Sequence, residues 1–275
     1  MAQRLPTWLD PSKELKDIEK PEWFSKLSRP QADAVFYLWV IDAFYNAGKS
    51  EGFPEISADQ LTEIAANAAV ETGHGQKWNG NNWGGIKINK PYVTSYFTQH
   101  QTNPCWFQSK GHVSGGDEEI VYYIGFESVQ DFASFWLNRF VPFSYRDEEQ
   151  IEEKKRSRYY KTAKAFWENF EEPTKHWFYE LCVSGYKGEV TKKDPQPSVA
   201  TLFGCKSRIK TMVSQLILGL TADGVWGTKS KNACLEFQKS KNLQLTGELN
   251  NETYNAIINS YFTLSEYSKR LNLKF

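Results

Sequence analysis

The chain has 275 residues, of which 40% are hydrophobic and 24% charged, with 33 basic and 33 acidic side chains. That length suits one large domain or a medium domain with a small companion, and the apolar share is too high for a chain disordered over most of its length. A net charge of zero argues against nucleic acid as the main partner, because phosphate binding leans on a strong basic excess.

Core packing accounts for most of the 10 Trp, 14 Tyr and 18 Phe, although carbohydrate sites draw on the same side chains. The N-terminus, MAQRLPTWLDPSKELKDIEKPEW, has no apolar stretch followed by small residues, so a secretory leader is not expected. No run of about 18 apolar residues occurs, so membrane insertion is not expected either. Cys105, Cys182, Cys205 and Cys234 are widely spaced without a CxxC pair, which points to reduced thiols rather than disulfides or a zinc site. His74, His100, His112 and His176 show no metal-ligand spacing, and no cofactor is expected.

Arg29 to Ala47 is strongly apolar and predicts a buried helix. Ser57 to Glu71 predicts a second, opened by Ser57 with Gln60 as a capping box and stopped by Thr72-Gly73. Leu61, Ile64, Ala65 and Ala68 mark its inner face. The first 55 residues are expected to complete the core of this region, the alternative being a docking segment for a larger particle. YVTSYF (92–97), CWFQ (105–108) and EEIVYYIGF (118–126) read as strands, with GHVSGGD as a hairpin loop. Helices return at Ser128–Phe140 and Tyr159–Cys182, and the charged run Arg146–Arg158 reads as a solvated face. Residues 188–200, GEVTKKDPQPSVA, read as a linker, which divides the chain into 1–187 and 201–275.

The chemistry concentrates at Ala65 to Lys87. Glu71 falls in the last turn of its helix, near the angular position of Ile64 and beside Ala68. A carboxylate set against apolar surface there meets the condition under which lost water favours a protonated general acid. The glycines that follow leave room for a ligand, while Asn81, Asn82 and Trp83 supply amides and an aromatic face for a sugar.

Glu71-Thr72-Gly73-His74-Gly75, followed by Asn81-Asn82 and Gly85-Ile86-Lys87, resembles the signature of the glucosaminidase branch of the lysozyme superfamily, family 73 of the glycoside hydrolases. Trp83-Gly84 stands where that family has Leu-Phe. The resemblance implies an α+β lysozyme-like domain with a small β lobe, with Glu71 as general acid and Asn81, Asn82, Trp83 and Lys87 in the cleft. It also implies a second carboxylate in the β lobe, for which Asp117, Glu118 and Glu119 are candidates and Glu119 is preferred. Tyr186 is a candidate for steadying the charged transition state. The lytic-transglycosylase route needs no second carboxylate and stays open.

Beyond the linker, Asp223-Gly224-x-Trp226-Gly227-Thr228, Phe237-Gln238 and Thr246-Gly247 resemble a three-helix peptidoglycan-binding domain, with Asp223 and Trp226 as its ligand candidates. Ile209–Leu218 is its expected first helix, Thr228 caps Lys229–Lys241, and Asn250 or Asn251 caps the last helix. Leu235, Phe237, Leu243, Leu245, Leu249 and Ile257 are its expected core. The combined expectation is a mainly α enzyme that cuts the β-1,4 glycan of peptidoglycan and is tethered to the wall by a separable module. Without a leader, it would reach the wall as a phage lysin, on a phage tail or on a contractile injection particle. The alternative is a wall-anchoring structural component that does not cut.

Overall fold

The computed structural model describes residues 7–15, 22–52, 56–77, 79–88, 93–94, 97–98, 104–112, 118–140 and 195–263. The described part is mainly helical with one two-stranded sheet, as expected. After the short helix α1 (Glu22–Ser25) comes α2 (Arg29–Ser50), the centre of the larger region. Gln31 Oε1 accepts the Ser28 N–H at 3.2 Å, and Pro30 sits in the first turn, where its missing N–H costs no helical bond. Fourteen of the 22 residues of α2 are buried, so it packs on nearly every side.

Helix α3 (Ala58–Thr72) starts and stops where its sequence signals place it. Gln60 N–H donates to Ser57 Oγ at 3.2 Å, and Ser57 N–H donates to Gln60 Oε1 at 3.0 Å. Gly73 ends the helix in the left-handed conformation (φ 59°). The hairpin of β1 (Cys105–His112) and β2 (Glu118–Gly125) is antiparallel, pairing Cys105 with Gly125 and His112 with Glu118. Its two edges are covered. Leu15 N–H donates to the Trp106 carbonyl at 2.8 Å on one side, and Ile88 N–H donates to the Tyr122 carbonyl at 3.0 Å on the other. The first residues described thus pad the β lobe and α2 fills the core. Helix α4 (Val129–Phe140) follows, with Ser128 and Asp131 capping each other's backbone N–H groups.

Residues 93, 94, 97 and 98 are helical, which corrects the strand expected over 92–97. Val93 is buried and Phe97 stacks on Phe135 at 5.7 Å. A short aromatic run does not separate helical spacing from alternation. The linker expectation is corrected from residue 195 onward, because α5 (Pro195–Ile217) begins there. Pro195 and Pro197 occupy its first turn, where proline is tolerated. The expected helix Tyr159–Cys182, the charged run 146–158 and residues 188–194 lie outside the described residues.

Helices α6 (Thr228–Ser240) and α7 (Asn251–Phe262) complete the C-terminal region. Asn250 caps α7 by accepting the Thr253 N–H at 2.8 Å, whereas Gly227 caps α6 and Thr228 is its first residue. Leu235 and Leu245 are exposed, correcting their place in the expected core. Ile209, Met212, Val213, Leu216, Ala222, Cys234, Ile257 and Ile258 fill it. Cys105, Cys205 and Cys234 are free thiols, and Cys182 lies outside the described residues. Among the described residues no helix is long and apolar enough to cross a membrane, and no group of His, Cys, Asp and Glu is arranged for a metal.

Helices α5 and α7 share one continuous apolar core with α2 and α3. Lys206 Nζ lies 2.6 Å from Asp59 Oδ2 and 2.5 Å from Glu63 Oε1, and Lys210 Nζ pairs with Asp59 Oδ1 at 2.5 Å. Burial alone raises the Asp59 pKa, but hydrogen-bonded ion pairs with the two lysines outweigh it and hold the carboxyl below its ordinary value. Burial pulls Lys206 down, and Glu63 and Asp59 outweigh that and hold it above its ordinary value. The Asp59 contribution to stability is therefore present above about pH 3.9 and lost as pH falls through its folded value. The Lys206 contribution is present below about pH 10.4 and lost as pH rises through its folded value. Urea unfolding from about pH 7 down to about pH 3 is expected to show stability declining at the acid end, with a shallower decline in Asp59→Asn.

Candidate functional site

Glu71 projects from the last turn of α3 beside the loop that follows it. It is exposed, which corrects the expected apolar setting. Ala68, Ala69 and Thr72 are buried, so Glu71 lies off the inner face of the helix. Opposite Glu71 lies Gly85, in the left-handed conformation (φ 59°). A Cβ added to Gly85 would stand 3.7 Å from Glu71 Oε2, so the carboxylate rests against bare backbone. The loop is glycine-lined at the place where a ligand would meet the acid.

Three of the four residues expected to line the cleft hold this loop instead. Asn82 is buried, and its amide donates to the carbonyls of Ile86 and Ile124 at 2.9 Å each while its oxygen accepts the Ile86 N–H at 2.9 Å. Asn81, with φ 57°, donates to the Phe126 carbonyl at 2.9 Å. Trp83 is fully buried, with its ring edge-on to Phe36 at 5.1 Å and to Phe132 at 6.1 Å. These side chains are committed to strand β2 and the core, which corrects their reading as sugar contacts. They clip the loop to the hairpin and so set Gly85 against Glu71. Lys87 is half-buried, and its backbone pairs with Tyr123 across the edge of β2.

The turn after Glu71 is anchored from beneath. His74 takes φ 62°, and its Nδ1 is 2.7 Å from the hydroxyl of Tyr37, a fully buried residue of α2. Arg29 donates to the Gly73 carbonyl at 3.3 Å, and Thr72 Oγ1 accepts the Gly75 N–H at 2.8 Å. Burial lowers the His74 pKa, with Asp33 pulling it up and Arg29 and Arg208 pushing it down, and burial raises that of the Tyr37 phenol. Gly75 packs so closely that an added Cβ would fall 2.5 Å from Phe36, and its φ is 75°. Tyr37 gave no sequence signal as an anchor, because its partner lies 37 positions away.

Glu118 and Glu119 open β2 opposite His112 and Gly111. Their side chains lie outside the described set, as do Asp117, Tyr186, His100 and His176 entirely. In the C-terminal region, Asp223 Oδ1 accepts from Val225 N–H and from the Gln215 amide at 2.8 Å each, bonds that hold its carboxyl below the ordinary value. Trp226 is half-buried, with Nε1 donating to the Gly247 carbonyl at 3.0 Å. Both motif residues therefore build the turn.

Two glutamines organise this region, Gln215, which sequence reasoning missed, and Gln238, which it read only as part of the motif. Gln215 donates to Asp223, the Val225 carbonyl and Ser230, and accepts the Gly224 N–H. Gln238, 23 positions on, donates to Thr246, the Glu248 carbonyl and Thr253, and accepts the Gly247 N–H. Every partner is shifted by the same 23 positions. The signal was present as Gln followed nine residues later by glycine, twice.

Residues 212–257 match the family described as "Putative peptidoglycan binding domain", so a peptidoglycan-binding domain occupies this part of the chain. No curated protein and no solved structure matches the chain. For the loop beside Glu71, Asn82→Ala strips three buried hydrogen bonds and is expected to cost about 2–4 kcal/mol in urea unfolding. A loss under about 0.5 kcal/mol would show that the loop is held by other means.

Proposed function

We propose that the protein is a glycoside hydrolase acting on the β-1,4 glycan of peptidoglycan, with Glu71 as the proton donor to the glycosidic oxygen. The observation that carries this reading is the Glu71 carboxylate resting against the bare backbone of Gly85, on the chain that also carries a peptidoglycan-binding domain. A carboxylic acid over a wall of glycine backbone leaves space for a sugar ring within reach of the acid. The Asn81 and Asn82 amides are already engaged, so the substrate is taken to meet the exposed Gly85 beside the Glu71 carboxylate.

The second carboxylate, where one acts, is assigned to Glu119, with Glu118 as its neighbour at the start of β2. A separation of about 5–5.5 Å from Glu71 makes the pair retaining, and about 6.5–9.5 Å makes it inverting. The transglycosylase route replaces this carboxylate with a hydroxyl of the sugar itself. Tyr186 keeps its proposed role beside the developing charge. A non-catalytic anchoring role is the second reading, favoured by the family match falling on the binding domain alone.

The wall is met on an apolar ridge of the C-terminal region. Val225 is 66% and Leu245 58% exposed, and Leu235 lies against Gly247, whose carbonyl holds Trp226. Exposed apolar side chains gathered beside an aromatic ring are the usual mark of a binding surface.

Two measurements test this reading. Incubation with purified peptidoglycan is expected to release fragments whose reducing ends, identified by mass spectrometry, name the bond, and Glu71→Gln is expected to slow release by about a hundredfold to ten-thousandfold. No fragments from the parent protein would leave the anchoring role. The double variant Val225→Ser, Leu245→Ser is expected to fold normally and to lower retention on insoluble peptidoglycan by about tenfold, and unchanged retention would move the grip elsewhere.

A further inference from the structure

The contacts that join the C-terminal helices to α3 are of the kind found inside one domain. Thr62 and Tyr254, both buried, share a hydrogen bond of 2.6 Å between their hydroxyls. The side chain of Lys206 is only 14% exposed and bridges Asp59 to Glu63 across one turn of α3. The rings of Tyr45, on α2, and Phe262, on α7, stack at 3.6 Å and 5°. Ile209, Tyr254, Ile258 and Tyr261 are buried in the same cluster as Leu61, Ile64 and Ala65. At the far end of α3, the charge of Arg208 on α5 acts on Tyr37 and His74 beneath the Glu71 turn.

We propose that the peptidoglycan-binding region is a structural part of the Glu71 region, the two forming one cooperative unit in which α5 and α7 wall in the helix that carries Glu71. The wall grip and the carboxylate are then held at a fixed separation. The clamp at Asp59 and the acid at Glu71 stand twelve residues apart on one helix, about 18 Å. This replaces the separable tether. Binding does not merely raise the local concentration of a free-swinging cleft but presents the wall at a set offset from the acid. The inference rests on the interface and holds whether or not Glu71 cuts, so its failure and that of the proposed activity are read separately.

Native-state hydrogen exchange on the full chain tests it. Lys206→Glu places a third carboxylate against Asp59 and Glu63. Amide exchange in α3 and in α7 is expected to accelerate together, by about ten- to a hundredfold, because the two segments open in one event. The double variant Lys206→Glu, Glu63→Lys is expected to recover most of that protection in both segments. Lys239→Glu, on the exposed side of α6, is expected to leave α3 unchanged. Tyr254→Phe removes only the hydroxyl pair with Thr62, and it is expected to speed both segments by the same smaller factor, which decides the matter should Lys206→Glu fail to fold. Faster exchange confined to α7 with α3 untouched, in either variant, would overturn the proposal and restore the tether, as would acceleration of α3 by Lys239→Glu.

Discussion

Helix α2 is apolar around nearly its whole circumference, and the rest of the described structure answers that demand. A helix with no polar face cannot border water along its length, so it has to be enclosed. Helix α3 covers one side, α4 another through Phe132 and Trp136 against Phe44, and α5 a third. The last of these comes from the other end of the chain. Enclosing α2 therefore draws the C-terminal helices onto the larger region and leaves α3 between the two, with its ends available for the ion-pair clamp and for Glu71.

The same demand explains how the acid is presented. Helix α3 buries Leu61, Ile64, Ala65, Ala68, Ala69 and Thr72 on its inner face, and Glu71 in its last turn falls off that face at the surface. The following turn is not left loose, because Tyr37 reaches up from α2 to His74 and Thr72 closes back onto Gly75. From the other side the Asn82 amide fastens the facing loop to β2. Polar side chains thus set the backbone geometry that places Gly85 against the Glu71 carboxylate.

What could be read from the sequence follows the range of the interactions involved. The capping box at Ser57, the left-handed stop at Gly73 and the cap at Asn250 join residues three or four apart, and each is found where the sequence places it. The roles of Asn81 and Trp83, and one of the three bonds of Asn82, depend on partners more than 40 positions away in Phe126, Phe36 and Ile124, which local pattern does not reveal. Leu235 and Leu245 fit an apolar pattern yet face water, while the polar Gln215 and Gln238 are buried and hold the two turns. The helix that begins at Pro195, within the expected linker, was hidden by its prolines, which mark both a break and a first turn.

The paired glutamines carry a further consequence, for how the domain ages. Hydrolysis of a side-chain amide exchanges one nitrogen for oxygen and turns a donor into an acceptor. At Gln238 two of the three groups receiving its N–H bonds are hydroxyls, which can rotate and donate in return. At Gln215 they are the Asp223 carboxylate, the Val225 carbonyl and a single hydroxyl, Ser230, so the new acid would face an existing negative charge with little means of adjustment. Two loops built on one plan are therefore unequal in chemical durability, and the first, which carries Trp226, is the one that deamidation would open.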